Sequence, residues 1–598
     1  ARAGLALLAG FVGWSYLSML WAVSPGSAWE ASNELLLYLV SAWVLALVPW
    51  TGRSAGIFVG AWSVGIVLVC AITLVEGVVT SHVSGFLYAF RFQSPIGYPN
   101  ADAALGAMAF LPALGLSNQR RAPAPVQGLL LTSAAFLLEF SFLAQSRAAA
   151  AAAILSLAFL LALASDRWRL LLRIAVVSAA FAASISTVLD VYSTAEAGHA
   201  VGPAIDRAAL WIMVTSVLAG VLGASLARLE GALALGSERQ RSARRAAGAL
   251  AAVTIVLLAA LFGSRFVGAV GDELDAIGSG KEASTNRFAK TTLYERPDYW
   301  RVSLDMFDEH PLAGAGAGAF EQEYTVRRKE PKYSRYAHNI WLRALGEEGV
   351  VGAALLIGFA VLVLGYPVKR LRALGGRRAV ISGSLATVFY FFLHASFDWL
   401  DEIPALAAPA FGLGLIALAL TAPAGTSARI RRRGAARGGV LLGQAALLGV
   451  ALLALVPPYL SHRYLESALS SWSGDPHGAY EDIHRAAALN PLSGSPRVAE
   501  GRIAVALRQP RRARRAFGDA LAIEDFWYPH LQLALLDARE GSFRIAERQI
   551  TEARRLSRKD PFISSAATLI RERRRVDPKS FNAAMESQIQ RSFTSGRK

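Results

Sequence analysis

Polar side chains able to do chemistry stand at the ends of apolar runs that lie far apart in this sequence. Asn100 follows Gly97-Tyr98-Pro99 as one run begins, and Arg147 sits in Gln145-Ser146-Arg147 between two runs with almost no loop. Arg296 lies in a long polar segment, His338-Asn339 opens the next run, and His394 and Asp398 fall near the end of another. A guanidinium is always charged and grips phosphate oxygens in pairs, and an imidazole titrates near neutrality and can take a proton. Each residue also has a plainer reading. Arg147 could snorkel to lipid phosphate, and Asn100 could be an N-cap after a proline turn. His338 could be a capping or core histidine, and Arg296 a solvated loop charge. His394 and Asp398, four apart on one helical face, could be a structural pair.

The apolar runs decide how much weight these residues bear. Of the 598 residues 54% are hydrophobic, and the mean hydropathy of +0.38 is too high for an ordinary soluble chain. The runs reach the roughly 17–25 residues that a bilayer crossing requires. Spans are predicted near 4–22, 33–49, 55–78, 102–117, 126–144, 148–164, 170–189, 206–228, 247–270, 338–366, 378–399, 404–421 and 438–459. The expected fold class is therefore all-α, a polytopic bundle of about twelve or thirteen transmembrane helices.

A net charge of +17 would suit nucleic acid, but its placement argues against that partner. Basic clusters occupy alternate short connections: Arg120–Arg121, Arg167 with Arg169, Arg239–Arg245, Lys369–Arg378 and Arg429–Arg437. That alternation is the positive-inside pattern, with the amino terminus cytoplasmic. Segments near 79–101, 145–147, 190–205, 271–337 and 400–403 then lie outside, with everything after Leu460. The candidate residues thus gather at one membrane level, on the outer side, where polar groups near spans are costly and informative. Cys70, the single cysteine, excludes an intramolecular disulfide and a multi-cysteine metal site. The chain is apolar from Ala1, and its first run reads as a retained span rather than a cleaved signal.

Four regions are expected: an amino-terminal bundle over 1–270, an extracytoplasmic loop over 271–337, further spans over 338–460, and an extracytoplasmic tail over 461–598. In the loop, Trp300, Leu304 and Phe307 at helical spacing predict an amphipathic helix, lying on the bilayer surface or packed on the bundle. In the tail, Ala486-Ala487-Ala488-Leu489 recurs at Ala520-Leu521-Ala522-Ile523 and at Ala553-Arg554-Arg555-Leu556. The period of about 34 residues is that of tetratricopeptide helix pairs, so the tail resembles a short α-solenoid that could dock a partner protein.

The ordered motifs extend this reading. Arg296-Pro297-Asp298-Tyr299-Trp300, then His310-Pro311-Leu312-Ala313-Gly314-Ala315-Gly316-Ala317-Gly318-Ala319-Phe320, resembles the outer-loop signature of the O-antigen ligase/polymerase family. So does Ala337-His338-Asn339-Ile340-Trp341-Leu342 followed by Glu347-Glu348-Gly349-Val350-Val351-Gly352. Gly97-Tyr98-Pro99-Asn100, Ser146-Arg147-Ala148 and the stretch from His394 to Asp398 resemble motifs upstream and downstream, in the family's order. The run Asn286–Glu295 departs from that pattern and leaves Arg287 as a rival to Arg296. The resemblance implies an enzyme of the bacterial cytoplasmic (inner) membrane. It would move glycan from an undecaprenyl diphosphate carrier, on the outer face, to a glycan, lipid or protein acceptor.

In that chemistry Arg147 and Arg296 would hold the leaving diphosphate, and His338 would be the base for the acceptor hydroxyl. Asn100, Asn339, Arg287, His394 and Asp398 would help bind substrate, whereas Glu347 with Gly349 and Gly352 suits helix packing. No metal-ligand cluster, P-loop or nucleotide fingerprint stands in the sequence, as a lipid-linked donor would allow, and the resemblance implies inverting transfer without cofactor or metal. Two other classes compete. A flippase or transporter of lipid-linked glycan would place charges at the bilayer midplane on related halves. A scaffold would use the tail alone.

Overall fold

The computed structural model describes residues 1–80, 83–232, 296–330, 332–421 and 436–595. It is all-α apart from one two-stranded hairpin, and its described residues divide into two compact units. Among the described residues seven helices are long and apolar enough to cross a bilayer. The molecule is a multi-pass membrane protein. A helix suits that setting because it satisfies its own backbone hydrogen bonds away from water. The predicted spans near 4–22, 102–117, 148–164 and 404–421 fall on shorter helices of 17 to 19 residues, and the one at 438–459 falls within Ala436–Ser471. The span at 247–270 lies outside the described residues.

Unit 1 comprises residues 1–6, 41–293 and 358–429. Its helices include α3 (Gly52–Val79), α4 (Pro99–Ser117), α5 (Ala124–Leu143), α6 (Arg147–Leu163), α7 (Arg167–Glu196) and α8 (Gly202–Ala232). After a long gap come α12 (Arg378–Ala395) and α13 (Pro404–Leu420). Local signals start these helices: a capping box between Thr51 and Ser54 opens α3, and Pro99 occupies the first turn of α4. Small residues let the helices close. A Cβ on Gly128 would sit 2.7 Å from the Gly220 carbonyl, and one on Gly383 2.9 Å from Cα of Pro112. Such contacts pack α5 on α8 and α12 on α4 without any help from water exclusion.

Unit 2 comprises residues 7–40, 294–357 and 430–598. It takes in most of α1 (Arg2–Ser18), the start of α2 (Pro25–Leu47), α9 (Arg296–Glu309), α10 (Phe320–Arg327) and the start of α11 (Ile340–Arg370). Helix α9 does form where the amphipathic helix is expected, but it turns a different face inward. Tyr299, Val302 and Met306 are buried with Phe320 and Tyr324 in the loop's own core, with Trp300 at its margin, while Leu304 is exposed.

Next to that core the glycine-rich run threads into α11. The helix breaks at Gly349 (φ 65°, ψ −168°), and the Gly316 and Val350 amides donate to the Glu347 and Pro311 carbonyls at 2.9 Å each. A Cβ on Gly314 would lie 2.2 Å from the Glu347 carbonyl oxygen, and one on Gly349 2.4 Å from that of Leu312. Both glycines adopt positive φ, so nothing larger fits either the dihedral or the space. Glu347 itself accepts from the Phe320 amide at 3.1 Å. That bond ties the loop to α11 at a residue whose sequence position suggested helix packing.

The tail follows α14 (Ala436–Ser471) as α15 (Pro476–Leu489), α16 (Ser495–Ala506), α17 (Pro510–Ile523), α18 (Trp527–Glu540), α19 (Phe543–Leu556), α20 (Pro561–Arg571) and α21 (Pro578–Ser595). The recurring alanines Ala486, Ala520 and Ala553 are fully buried in α15, α17 and α19. At each helix end the residue four positions later closes the same backbone bond: Asn490 to Ala486, Glu524 to Ala520 and Ser557 to Ala553. Those three closing residues also reach the rest of unit 2. Asn490 donates to Glu30 at 2.9 Å, Gln322 donates to Glu524, and Arg328 donates to Ser557 at 3.2 Å. The sequence period has become a row of contacts along one edge of the tail.

Candidate functional site

Four elements meet around Asn100 in unit 1. The hairpin of β1 (Leu87–Tyr88) and β2 (Arg91–Phe92) brings in Arg91, a buried guanidinium. Its Nε donates to the Ala144 carbonyl at 2.8 Å, and its Nη2 donates to Asn100 Oδ1 at 2.6 Å. Asn100 in turn donates from Nδ2 to the Tyr98 hydroxyl at 2.8 Å and to Asp398 at 2.5 Å. The Tyr98 hydroxyl donates to Asp398 Oδ1 at 2.9 Å, and its ring stacks on Trp399 with centroids 4.6 Å apart. Asp398 is fully buried. A buried carboxylate this well supplied with donors remains an acceptor and holds its neighbours in one orientation.

Arg147 opens α6 beside this network. Ser146 caps the helix by accepting from the Ala149 amide at 3.3 Å, and Gln145 before it has φ +46°. Ala144 and Ala149 pack on Ala103 of α4, so the turn bearing Arg147 sits against the helix turn bearing Asn100. His394 is buried in the last turn of α12, with Nδ1 3.0 Å from the Tyr390 hydroxyl. The expected single helical face for His394 and Asp398 does not exist. Helix α12 stops at Ala395, and the chain turns before Asp398 reaches Tyr98 and Asn100.

Unit 2 holds the other candidates. His338 has φ +53° and stands two residues before α11. Its Nδ1 lies 2.9 Å from the Tyr336 carbonyl, and its ring is 5.1 Å from that of Tyr299. A carbonyl only accepts, so Nδ1 carries the proton, and the lone pair of the neutral ring falls on Nε2. Asn339 caps α11, its Oδ1 accepting from the Trp341 and Leu342 amides at 3.0 Å each. That oxygen fixes the helix start rather than facing a sugar or phosphate.

Arg296 opens α9, two residues ahead of Asp298. Burial would raise the Asp298 carboxyl, but bonds from Arg301 and from the Lys329 and Glu330 amides outweigh it and hold the group below the usual carboxylate range. The rival Arg287 lies outside the described residues. Arg91 and Asp298 were not foreseen from sequence. Arg91 had one signal, a lone arginine between Phe90 and Phe92 in a segment predicted to lie outside.

Fold and polar clusters together define a polytopic α-helical membrane protein with charged and titratable side chains collected at helix ends. Residues 208–357 match the family model described as O-antigen ligase. The matched stretch contains Arg296, His338 and Asn339, while Asn100, Arg147, His394 and Asp398 lie to either side of it. The match supports a membrane enzyme that transfers glycan. No curated protein matches the chain.

Proposed function

We propose that the protein transfers or polymerises glycan from an undecaprenyl diphosphate-linked donor on the outer face of the cytoplasmic membrane. The donor brings its own leaving group, a diphosphate on which negative charge grows as the glycosidic bond breaks. Arg147 and Arg296 offset that charge, since guanidinium groups bind phosphate oxygens in a fork and need no metal to do so. Neutral His338 takes the proton of the acceptor hydroxyl through Nε2, the hydroxyl attacks the anomeric carbon, and the carbon inverts as the diphosphate departs. Within unit 1, Asn100 and Asp398 hold one hydrogen-bonded network, with Arg91 and Tyr98 as positioning residues. The contact of His338 Nδ1 with the Tyr336 carbonyl at 2.9 Å, inside the matched domain, is the observation that carries this reading.

The test mixes the purified chain in detergent with undecaprenyl-diphosphate glycan and candidate acceptors, without ATP or divalent cation. Turnover is the expected result. A ladder of products marks a polymerase, and a single product marks a ligase to lipid or protein. An absolute requirement for ATP or a divalent cation would overturn the reading.

A further inference from the structure

We infer that a cavity of about 510 Å³ within unit 2, lined by the start of α2, helix α10 and the repeat tail, binds a saccharide that bears hydroxyl or amino groups and no acidic ones. Its volume is that of an ordinary small-molecule site, roughly 300–1,000 Å³. What marks the cavity is a one-sided set of hydrogen-bonding groups. Asn490 and Gln322 both line it, and each uses its amide nitrogen on a carboxylate, Glu30 and Glu524 respectively. The amide orientations follow from that, because the reverse flip would set carbonyl against carboxylate. Asn490 Oδ1 and Gln322 Oε1 are then left buried with no donor in the protein, and Asn490 as a whole is only 4% exposed. A buried acceptor without a donor is costly, so the missing partner is a group that donates.

The charges around the cavity agree. Arg335 pairs with Glu321 at 3.3 Å and Arg327 with Glu323 at 2.6 Å, whereas Glu30 and Glu524 have only neutral partners. Carboxylates and amide oxygens here all call for donors that bring no negative charge, which phosphate or a uronate cannot supply. A polyol or amino sugar can. Tyr333 and Trp527 add ring faces to the wall, where the C–H face of a pyranose or an ammonium group can rest. The site would hold the acceptor glycan away from its reacting end. That role rests on the glycan-transfer reading, but the binding itself does not.

Binding is measured on the full-length chain in nanodiscs by calorimetry, with no donor present. The probes are tetramers of glucosamine, N-acetylglucosamine and galacturonate, with spermine as a bare polyamine. Glucosamine tetramer is expected to bind with Kd below about 1 mM, and N-acetylglucosamine tetramer more weakly. Galacturonate tetramer should not bind. Glu30→Gln combined with Glu524→Gln should weaken glucosamine tetramer by about tenfold or more, as should Asn490→Ala. Tyr333→Ala, on the exposed wall, gives the same reading should those variants unfold. His338→Ala should keep the binding even if transfer is abolished, which separates this site from the catalytic proposal. The inference is overturned if glucosamine tetramer fails to bind, if galacturonate or spermine binds as tightly, or if the folded variants bind unchanged.

Discussion

In unit 1 a row of candidate side chains bond to one another, whereas in unit 2 His338 and Asn339 lean on nearby backbone. Arg91, Asn100, Tyr98 and Asp398 form a chain of side-chain contacts between residues 300 positions apart. His338 instead leans on the Tyr336 carbonyl, Asn339 on two amides, and Asp298 on the Lys329 and Glu330 amides. A network of side chains tends to fail as a set, because losing one member leaves its neighbours short of a bond. A side chain fixed by local backbone can fail alone while the loop keeps its course. The difference sorts residues by how their loss should combine, which sequence motifs do not reveal.

The largest effects are expected where a group would touch the reacting atoms. His338→Ala and Arg147→Ala should each lower kcat by on the order of a hundredfold or more, with thermal unfolding unchanged. Arg147→Lys should recover little of it, since an ammonium lacks the paired donors of a guanidinium. Full activity in either alanine variant would remove that residue from the mechanism.

Next come the threading glycines. Gly314→Ala and Gly349→Ala must place a Cβ 2.2 Å and 2.4 Å from backbone carbonyl oxygens at positive φ. A cost of about 2–3 kcal/mol or more is expected in unfolding, with earlier cleavage of the glycine-rich loop by protease. Within the unit 1 network, Asn100→Ala and Asp398→Ala should each lower activity about tenfold, and the double variant little further, a coupling of about 1–2 kcal/mol. Asn339→Ala combined with Asp398→Ala should instead be additive. Additivity in the first pair would dissolve the contrast between the two designs.

Much of this organisation is legible in the sequence because it is periodic. Apolar runs announce helices that cross a bilayer, and alanines recurring at 486, 520 and 553 announce the stacked tail. Legibility falls where a side chain's role depends on chain reversal. The stripe Trp300, Leu304, Phe307 is as helical as Tyr299, Val302, Met306, and only the fold of Phe320 and Tyr324 over one side selects the second. His394 and Asp398 have the spacing of a helical face, yet the helix ends between them. Glu347 reads as a membrane-helix carboxylate and proves to be the anchor of a loop that arrives from some thirty residues earlier. Arg91 gives almost no pattern, since its partners at 100 and 144 become neighbours only in three dimensions.

The smallest predicted effect is a pH response that isolates one backbone-fixed residue. Asp298 joins Arg301, through a 2.7 Å ion pair, to the amides of Lys329 and Glu330, and its carboxyl is held below the usual range. A carboxyl whose pKa is depressed on folding adds stability above its unfolded value, about 3.9, and loses it as pH falls through the folded value. The clasp between α9 and the segment at 329–330 should therefore hold unchanged from pH 8 to pH 5 and loosen only below about pH 4. Glu309, held low first by its bond from Arg327, shares the sign, but its side chain is 53% exposed and solvent screens most of its contribution. Hydrogen exchange at the Lys329 and Glu330 amides, corrected for intrinsic rates, reads the clasp directly. Asp298→Asn should raise exchange there severalfold at pH 7 and flatten the acid response, whereas Glu309→Gln should leave both nearly as they were. Equal acid responses in the native chain and in Asp298→Asn would mean that another group controls the loop, and that Asp298 merely follows it.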